Sequence, residues 1–115
     1  MKESILHTKA LDFAAEIMIF YEEFAQLKKD TTVAKQLLRS ATSVGANLNE
    51  ATFGNSKADF INKLHISLKE ANESVYWLTL LQRVYKDIEK LPKLLKDANE
   101  IKAMLVASLN TAKGN

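Results

Sequence analysis

A line of polar residues in one predicted helix holds the side chains best suited to specific chemistry. The line consists of Arg39, Ser43, Asn47 and Glu50. Successive steps of four, four and three residues place them on one face of an α-helix. Arg39 and Glu50 lie about 16 Å apart along the axis, so they cannot pair with each other. The planar guanidinium fork of Arg39 therefore faces a carboxylate elsewhere, a ligand phosphate, or solvent. We favour a structural or interface role for the line, in which Asn47 and Glu50 fix helix-end or subunit contacts.

Cations cluster around the start of the same helix. The candidate nucleic-acid-binding residues are Lys28, Lys29, Lys35 and Arg39. Lys35 and Arg39 share a helix face, because they are four residues apart. The whole chain carries 16 basic and 14 acidic residues, a net charge of +2, which permits nucleic-acid binding without arguing for it.

No combination of residues predicts catalysis or metal binding. His7 and His65 lie in different predicted helices, and neither has a histidine or acid three or four residues later. The chain has no cysteine and no phosphate-binding loop. Neither Arg39 nor Arg83 is followed by histidine as in some helical ribonucleases. We expect no enzyme, metal or cofactor; a ribonuclease is a remote alternative, and His65 has no assigned role.

Composition predicts an all-α fold. Of 115 residues, 47% are hydrophobic, and only three are glycine and one is proline. This length suits one domain, residues 1–115. We see no signal peptide and no apolar run of the roughly 18 residues that would span a membrane. Together with the lack of cysteine, this leads us to expect a cytoplasmic protein without a membrane partner.

Apolar periodicity predicts four helices, at about 4–28, 31–53, 57–88 and 92–112. Short connections predict an antiparallel up-down-up-down four-helix bundle. Each predicted helix has an apolar seam: Leu6, Ala10, Phe13, Ile17, Phe20, Phe24 and Leu27; Leu37, Ala41, Val44, Leu48 and Ala51; Phe60, Leu64, Leu68, Ala71, Val75 and Leu78; Leu94, Leu95, Ala98, Ile101, Leu105, Ala107, Leu109 and Ala112.

Turn and cap residues mark the helix ends. We expect Asp30 or Thr31 to cap the second helix, and Gly54 to end it in a left-handed conformation. Ser56 with Asp59 resembles a capping box at the start of the third helix. Gly45, inside the second helix, predicts a close backbone approach by a neighbour.

Three further patterns suggest surfaces and contacts. The segment 17–21 is apolar nearly all round, which fits either a second covered side against another subunit or deep burial in a monomer. We expect Tyr76 and Trp77 to lie in the core or an interface rather than to stack on bases. Rings that stack on bases normally lie among basic residues, whereas Glu70 and Glu73 are near these two in sequence. The i, i+4 ion pairs expected on the third helix are Asp59–Lys63 and Lys69–Glu73.

The ordered motifs resemble the four-helix bundle family of 23S rRNA intervening-sequence proteins, also called S23-like proteins. The resemblance covers roughly residues 8–112. The matching motif residues are Arg39, Ser43, Asn47 and Glu50; Ser56, Lys57, Asp59 and Phe60; then Glu70, Glu73, Tyr76, Trp77 and Leu78. In one departure, Glu50 is followed by Ala51 where many members have glycine, so helix two could run a turn longer.

The resemblance implies a homo-oligomer, with a ring of five bundles favoured. The family includes the accessory proteins of diversity-generating retroelements, which bind nucleic acid and a reverse transcriptase. RNA or DNA, and a protein such as a reverse transcriptase, are therefore expected partners. We expect a non-enzymatic scaffold that presents a nucleic-acid-binding or protein-binding surface. The alternative is a pure protein-interaction module whose basic residues only keep it soluble.

Overall fold

The computed structural model describes residues 2–114, with side chains from residue 5 onward, so Met1 and Asn115 of the expected domain lie outside the described residues. The described residues form four helices: α1, Lys2–Leu27; α2, Thr32–Thr52; α3, Lys57–Val84; and α4, Leu91–Ala112. No strand occurs within residues 2–114, so the all-α prediction is confirmed. The bundle measures 45 × 21 × 20 Å.

The four helices form a square in which each packs against two others. α1 packs on α2, α2 on α3, α3 on α4, and α4 on α1, whereas the backbones of the two diagonal pairs stay farther apart among the described residues. Short connections make successive helices antiparallel. The C-termini of α1 and α3 therefore share one end of the bundle with the N-termini of α2 and α4.

The predicted seams of α1, α2 and α4 form the core with few exceptions. Every seam residue of α2 is buried, and so is every seam residue of α1 except Leu27, which is 73% exposed beside the turn. On α4, Leu95 and Ala112 are half-buried and Ala107 is exposed. Apolar residues that follow one another at regular steps of three and four positions are thus the ones that the structure mainly buries.

The centre of the α3 face differs from the prediction. The buried residues are Leu64, Ser67, Ala71, Ser74, Leu78 and Leu81. Phe60, Leu68 and Val75 of the predicted seam are only half-buried and flank that line. Ser67 and Ser74 are polar, so the search for apolar residues passed over them. The predicted seam therefore lies to one side of the line of residues that is buried.

The connections show which cap predictions hold. Asp30 Oδ1 accepts a hydrogen bond from the Thr32 backbone N–H at 3.0 Å, and Ser56 Oγ accepts one from Asp59 N–H at 3.1 Å. The prediction that Gly54 adopts a left-handed conformation was wrong, because the only positive φ in the described chain is at Gly114. α2 ends in a tight turn instead, with Gly54 N–H donating to Ala51 C=O at 3.1 Å.

Helix α3 ends at Val84 rather than at residue 88. Tyr85 leaves the helix and places its ring edge-on to Phe24 of α1, with the ring centroids 5.1 Å apart. This contact closes the end of the bundle between α1 and α3. The connection then continues to α4, where Pro92 occupies the first turn.

Gly45 lies against Ala10 of α1, but the backbone approach is less close than the glycine predicted. A Cβ built on Gly45 would lie 3.7 Å from the Ala10 Cβ, which is an ordinary van der Waals distance. The glycine is therefore compatible with this contact without being sterically required by it.

No helix in the described range 2–114 combines the length and the apolar character needed to cross a membrane.

Candidate nucleic-acid interface

The guanidinium of Arg39 reaches across to α3. Its Nη2 donates to Glu73 Oε1 at 2.7 Å, and its Nη1 donates to Glu70 Oε1 at 3.3 Å. The hydrogen bond to Glu73, together with the negative charges of Glu70 and Glu73, raises the pKa of Arg39 above its ordinary value. Both arms of the fork are thus occupied by carboxylates of the same chain.

The rest of the polar line follows the boundary between α2 and α3. Ser43 Oγ donates to the Arg39 carbonyl at 2.8 Å, and Asn47 Nδ2 donates to the Ser43 carbonyl at 2.9 Å. Glu50 pairs with Lys63 of α3 at 3.0 Å. The two charged ends of the line therefore bind α3, while the two neutral residues between them bond to their own helix.

Buried hydroxyl groups lie between the same two helices. Ser67 Oγ donates to the Val44 carbonyl of α2 at 2.7 Å, and the Ser40 and Ser74 hydroxyls are 2.8 Å apart. All three serines are fully buried. Sequence reasoning missed them, although their position at core-facing steps of α2 and α3 was a usable signal.

The i, i+4 ion pairs expected on α3 do not form. Lys63 pairs with Glu50 rather than with Asp59, and Glu73 pairs with Arg39 rather than with Lys69. Both interhelix partners come from α2, which lies against this side of α3. Lys69 is left exposed, with no ion pair among the described side chains.

A second set of ion pairs joins α1 to α4. Lys90 pairs with Glu23 at 2.7 Å, and Lys9 lies 3.5 Å from Glu100. Lys93 contacts Asp97 at 2.8 Å and Glu16 at 3.0 Å, and these hydrogen bonds raise its pKa above the ordinary value. Acidic side chains of α1 and α4 are thus gathered at their shared boundary.

The predicted cations Lys28, Lys29 and Lys35 lie at the end of the bundle where α3 also finishes. Lys28 Nζ sits 5.0 Å from the centre of the Tyr85 ring, within range of a cation–π interaction. Arg83 and Lys86 line a shallow depression at this end. We call these five cations the basic end. Arg83 and Lys86 were not grouped with the others in advance, because only the fold brings residues so distant in sequence together.

Acidic residues are also present at this end of the bundle. Asp87 and Glu89 are exposed in the α3–α4 connection, and Asp30 is engaged with the start of α2. Lys29, Lys35, Arg83 and Lys86 have no ion-pair partner within the described part of the chain. The basic end therefore combines free cations with a smaller number of carboxylates.

The outer side of α1 is apolar and uncovered. Ile17 and Phe20 are buried, but Met18 is 54% and Ile19 50% exposed, and Leu11 on the same helix is 70% exposed. The alternative that the whole 17–21 segment is deeply buried within a single chain was therefore wrong. One of its two apolar sides faces away from the bundle.

The two histidines occupy different settings. His7 Nε2 lies 2.9 Å from Thr52 Oγ1, which ties the start of α1 to the end of α2. His65 is exposed, with no polar partner among the described side chains. No group of three or more potential metal ligands occurs within that same part of the chain.

Comparison with known proteins gives a consistent result. Residues 2–107 match the family model of the 23S rRNA-intervening sequence protein. A crystal structure of a protein with unknown function from the S23 ribosomal protein family of Bacteroides thetaiotaomicron is similar, with 41% sequence identity and a TM-score of 0.90. The similarity covers 96% of this chain and 99% of that one. A search of curated proteins found no match.

Proposed function

This chain belongs to the 23S rRNA-intervening sequence protein family, and we propose that it is a non-enzymatic oligomer that presents a basic surface to nucleic acid. The observation that carries this proposal is the distribution of ion pairs. Carboxylates are concentrated in the α1–α4 and α2–α3 boundaries, where cations of the neighbouring helix neutralise them. The cations of the basic end stay free of such pairs.

Among the described side chains, more acids than bases enter the ion pairs. The paired carboxylates are Glu16, Glu23, Glu50, Glu70, Glu73, Asp97 and Glu100, and the paired cations are Lys9, Arg39, Lys63, Lys90 and Lys93. The side chains left over are therefore more basic than the net charge of +2 suggests. Free surface cations bind phosphates by releasing counterions, whereas a paired cation must first give up its partner. We therefore leave Arg39 out of the proposed phosphate-binding group.

The apolar side of α1 supports self-association. Leu11, Met18 and Ile19 expose half or more of their surface on one helix, which is unusual for a side that stays in water. Closed symmetry is the common outcome when identical chains associate. We propose a ring, with five copies favoured by the family, in which each bundle repeats the basic end and strengthens the local positive field.

The nucleic-acid part is tested by filter binding to RNA and DNA at about 50 mM salt, where electrostatic binding is strong. Replacing Lys28, Lys29 and Lys35 together with glutamine should weaken binding and flatten its salt dependence. The matched control replaces Lys57, Lys102 and Lys113 with glutamine, which removes the same charge from the opposite end and the middle of the bundle. Equal losses in both variants would contradict the assignment to the basic end, and no binding by the unaltered protein would contradict the function.

Self-association is tested by sedimentation at micromolar concentration. Met18→Glu places a charge on the apolar side of α1 and should lower the mass of the assembly, because a buried unpaired charge is costly. Asn110→Glu on exposed α4 is the control. A monomeric mass for the unaltered protein would end the ring proposal.

A protein-interaction module is the second candidate, and Phe53 favours it. This side chain is 76% exposed at the α2–α3 turn, at the end of the bundle away from the basic end. Apolar anchors of this kind are common at protein interfaces. A partner held there, such as a reverse transcriptase, should remain bound at high salt and be lost on Phe53→Ala. Nucleic acid held by lysines should instead dissociate at high salt.

A further inference from the structure

The outward side of α3 carries a regular line of exposed residues. Steps of four and three residues connect them along the side of the helix that faces solvent. We call this line the outer strip: His65, Lys69, Asn72, Tyr76, Thr79 and Arg83. Every member is exposed.

The outer strip contains cations and no acid. Glu70 and Glu73 lie between members of the strip in sequence, but they turn toward α2 and are held there by Arg39. Lys69 and Arg83 have no ion-pair partner among the described side chains. The acids that argued against base stacking at Tyr76 therefore face another side of the helix, and their charge is partly neutralised.

Tyr76 lies midway between the two strip cations. It lies seven positions after Lys69 and seven before Arg83, which is about 10 Å along the axis in each direction. Its side chain is 61% exposed. Trp77 supports it from the side, with ring centroids 5.1 Å apart at 73°, and Trp77 itself is half-buried against the core.

We propose that the outer strip binds single-stranded nucleic acid, with a base stacked on Tyr76 and phosphates on either side of that base at Lys69 and Arg83. Surfaces that bind single strands combine a cationic track with aromatic rings. A ring can stack on a base only when that base is free of its own neighbours, so a duplex cannot use Tyr76 in this way. The inference rests on the proposed function and adds the class of nucleic acid and its place on α3.

Fluorescence anisotropy with a labelled oligothymidine and with a duplex of equal length tests the proposal at about 50 mM salt. Tyr76→Ala should weaken single-strand binding roughly five- to hundredfold, the range for losing one stacked base. Tyr76→Phe keeps an aromatic face and should bind as the unaltered protein does. Val84→Ala, at another exposed apolar position on α3, is the control and should change nothing.

Two more measurements separate stacking from a structural effect. Lys69→Gln and Arg83→Gln should each lower the salt slope of single-strand binding by about 0.7, the value for one phosphate contact. Trp77 is the only tryptophan of the chain, and it touches Tyr76, so its fluorescence should change when the single strand binds.

The outcomes distinguish the two proposals. No binding of either nucleic acid by the unaltered protein would remove the proposed function itself. Binding that survives Tyr76→Ala unchanged would overturn the outer-strip inference and leave the function standing. A lower assembly mass for Tyr76→Ala in sedimentation would place Tyr76 between copies of the chain and also overturn the inference.

Discussion

The hydroxyl groups of Ser40 and Ser74 lie 2.8 Å apart in the fully buried contact between α2 and α3. Each hydroxyl has a single proton, so one serine donates to the other, and the second donates to a carbonyl of its own helix. The available carbonyls are Leu37, 3.2 Å from Ser40 Oγ, and Glu70, 3.0 Å from Ser74 Oγ. Small side chains allow the two helices to approach at this level, and the hydrogen bonds satisfy the polar atoms that this approach buries.

Replacing Ser74 separates the steric role from the polar role. Ser74→Ala should lower the free energy of unfolding by about 1 kcal/mol, because Ser40 keeps a backbone acceptor. Ser74→Leu should cost more, by roughly 1–3 kcal/mol of overpacking, since the helices must move apart. Urea denaturation measures both, with exposed Thr111→Ala as a near-neutral control. Equal effects of the two substitutions would argue against a close approach here.

Leu48 and Leu68 offer a matched pair of core truncations. Leu48 is 3% exposed, whereas Leu68 is half-buried beside the core line of α3. Leu48→Ala should cost roughly 2–5 kcal/mol, but Leu68→Ala only about 1–2 kcal/mol, because part of that side chain is already in water. The midpoints of denaturant unfolding, analysed with one common m-value, compare the loss in the free energy of unfolding between the two variants. A larger loss at Leu68 would show that the phase of α3 is wrong.

Arg39 should matter more to stability than to nucleic-acid binding. Arg39→Ala leaves Glu70 and Glu73 without their cation, and the Glu70 side chain is only 12% exposed. We expect a loss of about 1 kcal/mol, a value limited by the half-exposed position of the arginine. Lys9→Ala, which breaks a longer exposed pair, is the control and should cost less. Loss of nucleic-acid binding at unchanged stability would contradict this assignment.

Gly45 and Gly54 should respond differently to alanine. In Gly45→Ala the new Cβ meets Ala10 at an ordinary distance, so the helix should gain up to about 1 kcal/mol. In Gly54→Ala the Cβ would lie 3.2 Å from the Ala51 carbonyl oxygen, so no such gain is expected. Thermal melting of both variants, with assembly mass checked, gives the answer. A lower melting temperature for Gly45→Ala would reveal a closer neighbour.

The sequence predicted the four helices well because apolar residues recur at helical steps. It located the core of α3 less accurately, since Ser67 and Ser74 occupy central positions that a hydrophobic pattern cannot recognise. For Arg39, helix geometry showed that Glu50 could not be the acceptor. Helix geometry could not identify Glu70 and Glu73 as the acceptors, because an ion pair between two helices depends on the register of α2 relative to α3.

Nearness in sequence decided which residues of the candidate site could be grouped in advance. Lys28, Lys29 and Lys35 could be grouped because they are neighbours in sequence. Arg83 and Lys86 joined them only through the packing of Tyr85 on α1. The prediction that favoured a core or interface position for Tyr76 relied on acids three and six residues earlier, which the structure pairs with Arg39 of α2. Nearness in sequence is a poor guide to the charge around an exposed helical residue.

The square arrangement of the helices bears on how the chain folds. Three of its four interfaces join helices that follow one another in sequence, so each can form as a local hairpin with a small loop-closure cost. The α1–α4 interface alone requires the two ends of the chain to meet, and it is the one crossed by Lys9–Glu100, Lys93–Glu16 and Lys90–Glu23. We expect α1 and α4 to dock last, in a step that attraction between opposite charges accelerates and that added salt slows.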